Sequence, residues 1–163
     1  MSTEENLKAA LAGESQANRT YLAFAKKAES EGQLQAAKLF RAAADAETIH
    51  AMMYLERLGK IKSTAENLLE AVGGETHEYT EMYPGFVETA AAEGDGKTKL
   101  AFRWALRVEE GHANLYKELL ENIGKGEGKS YYVCQTCGWT EEGTAPDKCP
   151  VCARPKEQFK KFS

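Results

Sequence analysis

Two of the three histidines follow a glutamate by three residues, in Glu47-x-x-His50 and Glu109-x-x-His112. On a helix this spacing sets carboxylate and imidazole one turn apart on one face. Glu14 and Glu75 interrupt apolar stripes in two other segments, three residues after Leu11 and Val72, and Glu78 follows Glu75 by another three. Any one of these glutamates alone reads more readily as a solvated surface charge. Five carboxylates turned toward one core would repel and lose hydration, at a cost on the order of several kcal/mol each without a counter-charge. Metal cations supply that charge, and oxygen-rich ligation with one imidazole per metal suits iron or manganese. One Glu from each of two helices, with Glu-x-x-His from each of two others, is the ligand set of di-metal carboxylate bundles. Glu47 and Glu109 can bridge or chelate, and His50 and His112 each serve one metal. Tyr21 and Tyr83 lie about two turns past Glu14 and Glu75. They read either as aromatic core or as phenols that hold a metal-bound carboxylate in place. His77 and Glu81 read as surface or outer residues.

A second constellation sits near the C-terminus. Cys134-x-x-Cys137 and Cys149-x-x-Cys152 are separated by eleven residues. Each unit presents two thiolates to one tetrahedral metal. A segment of about 30 residues cannot build a sufficient core alone, so the metal must organise it. Spacing does not choose between zinc and iron.

These residues need elements to position them. Ser2 to Glu5 and Ser63 to Glu66 read as capping boxes, and Gly32, Gly59, Gly94 with Gly96, and Gly124 punctuate helix ends. Apolar residues step by three and four through four segments, for example Leu7, Leu11, Tyr21 and Phe24 in the first. The expectation is a mainly α protein: a four-helix bundle over residues 1–123, a Gly/Lys/Ser linker over 124–130 and a Cys₄ metal domain over 131–163. A shift of 62 residues equates Tyr21 with Tyr83, Phe24 with Phe86, Gly32 with Gly94, Phe40 with Phe102, Glu47 with Glu109 and His50 with His112. Gly13-Glu14 meets Gly74-Glu75 only after one residue of slippage. The bundle is thus two copies of a helix pair. Glu78 has no acidic counterpart, because Ala17 occupies its place in the first copy.

Composition bounds the rest. The 163 residues carry 21 Lys+Arg and 25 Asp+Glu, a formal charge of −4, which argues against nucleic acid as a partner. No run is apolar and long enough to span a membrane, and the polar start Met1-Ser2-Thr3-Glu4-Glu5 is expected to carry no secretory signal. A cytoplasmic protein is expected, where paired cysteines more often bind metal than form disulfides.

The stretch Gly13-Glu14-Ser15-Gln16-Ala17-Asn18-Arg19, both Glu-x-x-His units, Gly74-Glu75, Glu78-Tyr79-Thr80-Glu81-Met82-Tyr83-Pro84 and the Cys134–Cys152 segment resemble the rubrerythrin family. The resemblance implies a ferritin-like di-iron bundle followed by a rubredoxin-like domain, three irons per chain, with zinc replacing iron at the Cys₄ site in some recombinant preparations. It implies Glu14, Glu47, His50, Glu75, Glu78, Glu109 and His112 as ligands of the di-iron site, and Cys134, Cys137, Cys149 and Cys152 as ligands of the third iron. It implies reduction of hydrogen peroxide to water, with electrons from an external reductase or rubredoxin. One iron would move between His50 and Glu78 with redox state. Two other readings stand beside it: a ferroxidase or O₂-reducing di-iron protein, and a non-catalytic zinc-ribbon interaction protein.

The connection after the second helix is short. In a ferritin-like bundle the second and third helices run parallel. Aligning His50 with Glu75 then needs a return of about 28 Å at ~1.5 Å per helical residue. The six steps from Leu58 to Thr64, across residues 59–63, span about 20 Å at ~3.4 Å each. The expectation is a homodimer that swaps helix pairs, with an up-down-up-down monomer as the alternative.

Overall fold

The computed structural model describes residues 2–125 and 128–163. Met1, and Gly126 and Glu127 of the expected linker, lie outside the described residues. The chain forms two compact units that divide between Lys62 and Ser63.

The first unit is a helical hairpin of α1, Thr3–Ser30, and α2, Leu34–Arg57. Ser2 opens α1 with a capping box: its hydroxyl accepts from the Glu5 N–H, and the Glu5 carboxylate accepts from the Ser2 N–H. Gly32, at φ 73°, ends it. The left-handed conformation lets the next N–H, from Gln33, reach back to the Ala28 carbonyl at 2.8 Å. Ala25, Ala28, Ala37 and Ala44 are buried where the helices meet, and their small side chains allow close approach. Asn18 is buried there and donates to the Ala44 carbonyl at 2.6 Å and to Thr48 Oγ1 at 2.8 Å. Tyr21, Phe24 and Phe40 close one end as an aromatic triplet.

The second unit repeats the plan and extends it. It begins with α3, Thr64–His77, under a Ser63–Glu66 capping box. The expected third helix does not stay regular: a π-helical segment, Glu78–Met82, joins α3 to α4, Tyr83–Ala92. This explains the slippage in the repeat. Glu14 lies seven residues before Tyr21, whereas Glu75 lies eight before Tyr83. A π-turn absorbs one extra residue in a continuous helix, so the aromatic that follows keeps its place. Tyr83, Phe86 and Phe102 form a triplet like that of the first unit. Gly94, at φ 73°, repeats the Gly32 stop, and α5, Gly96–Glu121, returns alongside α3 and α4.

A small sheet follows, with β1 at Tyr131–Cys134, β2 at Thr140–Glu142 and β3 at Phe159–Phe162. The strand order is β2-β1-β3 and both pairings are antiparallel. Cys134 of β1 is buried, as are Ala145 and Cys149 in the loop between β2 and β3. No helix among the described residues is long and apolar enough to cross a membrane.

Candidate metal centres

Each helical hairpin gathers three donors. In the first, Glu14 of α1 and Glu47 and His50 of α2 bring one ligand atom each within 4.8 Å of one another. In the second, Glu75 of α3 and Glu109 and His112 of α5 do the same. The Glu-x-x-His spacing acts as geometry predicts: Nδ1 lies 2.8 Å from the glutamate Oε2 both in His50–Glu47 and in His112–Glu109. Glu75 Oε1 lies 3.7 Å from His112 Nδ1. The fold thus brings six of the seven expected bundle ligands into two matched triads.

The second triad crowds its carboxylates together. Burial first, then the negative charge of Glu109, pushes the Glu75 carboxyl up to about 7. His112 is raised, chiefly by its hydrogen bond to Glu109 against the opposing effect of burial. Two half-buried carboxylates that resist joint ionisation, with an imidazole edge turned on them, form a donor set that a hard-to-borderline divalent cation relieves. The residues fit iron.

Glu78, the seventh, stands at the start of the π-segment, half-buried and outside the triad. Its charge still reaches Glu75, His112 and Tyr83. The Tyr83 phenol is held above its ordinary range, first by burial and then by Glu109, Glu78 and Glu75. Tyr21 and Tyr83 pack in the aromatic triplets. Among the described residues neither phenol hydrogen-bonds a carboxylate. His77 pairs with Glu81 at 3.3 Å, with both side chains largely exposed.

The four cysteines converge with all Sγ atoms within 4.8 Å and no disulfide. Cys134 and Cys152 sulfurs are 3.6 Å apart, and those of Cys137 and Cys149 3.5 Å. A tetrahedral site with ~2.3 Å metal–sulfur bonds needs sulfurs about 3.8 Å apart. Burial pushes the Cys137 and Cys152 thiols up. It opposes ionisation at Cys134 too, but hydrogen bonds from the Thr136 and Cys137 N–H groups outweigh it and bring that thiol down to about 7. Four crowded sulfurs resist joint ionisation, and a bound metal offsets that resistance.

Sequence reasoning missed what joins the Cys₄ unit to α5. Gly138-Trp139-Thr140, which follows the Cys137 knuckle, lies against the helix. Gly138 meets Val108, the Trp139 ring covers Gly111, and Thr140 Oγ1 lies 2.9 Å from His112 Nε2. The available signal was Gly111 itself. A glycine inside a helix costs about 1 kcal/mol relative to alanine, and this one stands in the middle of 26 residues.

Comparison with known proteins bears on both parts. The rubrerythrin family model matches residues 5–120, and that of the rubrerythrin rubredoxin-like domain matches residues 132–160. Nigerythrin of Nitratidesulfovibrio vulgaris is 36% identical, covering 97% of this chain and 85% of its own. Rubrerythrin of the same organism is 36% identical over 96% of this chain and 92% of its own. Rubrerythrin of Porphyromonas gingivalis is 37% identical over 96% and 88%. A solved structure of mixed-valence nigerythrin matches with a TM-score of 0.61 at 36% identity, covering 99% of this chain and 87% of that one. A fully reduced, all-ferrous nigerythrin structure matches equally well in TM-score. The chain belongs to the rubrerythrin family, with a di-iron domain followed by a rubredoxin-like domain.

Proposed function

We propose that this oxidoreductase reduces hydrogen peroxide to water at a non-haem di-iron centre that is re-reduced through the Cys₄ iron. The observation that carries the reading is the pair of repeat-related Glu/Glu/His triads together with a Cys₄ unit seated beside one of them. Glu14, Glu47 and His50 would hold one iron, and Glu75, Glu109 and His112 the other. When bound, the irons supply two electrons to the O–O bond of peroxide, which takes up two protons and leaves as two waters.

The chain's own residues set the conditions. The carboxylates keep the site anionic enough to hold two cations. Glu78, carried by the π-turn, gives the second copy a carboxylate that the first lacks, and would offer an iron a ligand alternative to His50. Tyr21 and Tyr83 brace metal-bound carboxylates, and their aromatic triplets hold them near. Cys134, Cys137, Cys149 and Cys152 hold the one-electron centre, which accepts electrons from a reductase or rubredoxin.

The active species is a homodimer that exchanges helical hairpins. The connection between α2 and α3, residues 58–63, spans only about 20 Å at ~3.4 Å per residue. Helix α2 also carries an apolar stripe spaced three and four, Leu39, Ala42, Ala46, Ile49 and Met53, whose large members are exposed in the single chain. The protein works in the cytoplasm, where four thiols stay reduced.

The test is anaerobic turnover of iron-loaded protein with a reduced rubredoxin. Two electrons should be consumed per peroxide, with no requirement for O₂. Consumption of free Fe(II) and O₂ without peroxide turnover would instead establish the ferroxidase reading.

A further inference from the structure

We propose that Gly111 is a seat cut into α5 for the Trp139 indole, and that this seat registers the Cys₄ unit so that Thr140 holds His112 by its outer nitrogen. The inference rests on the reading of His112 as a metal ligand. A Cβ at position 111 would meet Trp139 Cζ3 at 2.8 Å, Cη2 at 3.2 Å and Cε3 at 3.4 Å. The first distance is shorter than side chains tolerate, and the residue is hemmed in: the ring Nε1–H donates to Glu141 Oε2 at 2.8 Å, and the Trp139 backbone carbonyl accepts from the Cys134 N–H at 2.9 Å. One helical turn earlier Val108, 3% exposed, packs 3.6 Å from the Cβ position of Gly138. Val108, Gly111 and His112 therefore make one docking strip, and Gly138-Trp139-Thr140 is its complement.

The seat has a chemical consequence. Thr140 Oγ1 donates its only proton to the Gly138 carbonyl at 3.2 Å, so its lone pairs face His112 Nε2 at 2.9 Å. With the hydroxyl proton so placed, Nε2 is the donor of this contact. In the neutral imidazole that a metal ligates, the free lone pair is then on Nδ1, which faces Glu109 and Glu75. A residue of the Cys₄ unit thus sets the tautomer of a histidine in the bundle.

The first copy of the repeat provides a contrast. The residue equivalent to Gly111 is Ile49, 62% exposed, and among the described residues nothing in its hairpin holds Nε2 of His50.

The test uses the full chain loaded with zinc, a diamagnetic state without redox chemistry, and reads proton NMR at neutral pH. Wild type should show the Gly111 α-protons shifted by the Trp139 ring and a slowly exchanging His112 Nε2–H. Gly111→Ala should lose the ring shift and speed exchange of that proton at least about tenfold. Helix content should be unchanged or higher, since alanine favours the helix. Trp139→Leu, which leaves α5 untouched, should also speed the exchange. The double variant Gly111→Ala/Trp139→Leu, in which the added methyl meets a smaller side chain, should recover slow exchange. Wild-type exchange in either single variant would overturn the inference. The reading beneath it fails separately: His112→Ala would then bind as much metal as wild type.

Discussion

The two helical hairpins are copies that have diverged around their candidate donor triads. Both carry a triad, a glycine stop and an aromatic triplet at equivalent positions. The first is a regular hairpin whose His50 side chain is 44% exposed. The second has an extra residue wound into a π-turn, an extra carboxylate at Glu78 and a His112 that is 26% exposed beneath Thr140. A symmetric pair of sites would bind two metals alike. Under the proposed function, the difference would give one fixed and one adaptable position.

The largest test of this comparison is removal of a shared element. Glu47→Ala and Glu109→Ala should each lose at least one bundle iron per chain and lower peroxide turnover by at least about 100-fold. Metal analysis and steady-state rates measure both. If either variant kept its iron and its rate, the two triads would not be equivalent ligand sets.

The next test addresses only the second copy. Glu78→Ala should leave iron content intact and lower turnover by about 10- to 100-fold. Unchanged turnover would remove Glu78 from the account. Deleting Thr80, an exposed residue of the π-turn, should restore the seven-residue spacing of the first copy. Tyr83 would keep its register, so the melting temperature should move by less than about 5 °C, while turnover falls as in Glu78→Ala. A deletion that unfolds the protein would show that the π-turn is a packing requirement.

The smallest expected effect is in pH. Glu75 in the folded chain titrates near 7, above its ordinary 4.5, so folding favours its protonated form, and stability falls as pH rises from 4.5 to 7. His112 is raised above 6.5, and its contribution is present at low pH and lost as pH rises through its folded value. Both act in one direction. Metal-free protein should melt about 5 °C lower at pH 8 than at pH 5. Loaded protein should not, because the metal takes the place of the protons. Calorimetry of both forms decides it.

Much of this was legible in the residues. Glu-x-x-His and Cys-x-x-Cys spacings act within one turn or one knuckle, so the sequence carries their geometry. The repeat disclosed the helix pairs, and even the π-turn left a trace as the one-residue slippage between Glu75 and Tyr83. What the pattern could not convey was the contact between the Cys₄ unit and α5. His112 and Thr140 are 28 residues apart, and no periodicity links them. Gly111 marked the place only as an unexplained cost in a helix. The aromatic periodicity placed Tyr21 and Tyr83 well but left open whether their hydroxyls act on the carboxylates, since that depends on where a bound metal pulls those groups.

The most direct test of the account is an anaerobic titration of fully reduced, colourless protein with hydrogen peroxide, followed by the visible absorbance of the oxidised Cys₄ iron. Three one-electron centres per chain predict full red colour at about 1.5 peroxides per chain, with Glu109→Ala failing to develop it on the same timescale. A protein that stays colourless, or a Glu109→Ala variant that colours as fast and as fully as wild type, would contradict the claim that peroxide is reduced at the carboxylate triads and that the Cys₄ iron feeds them.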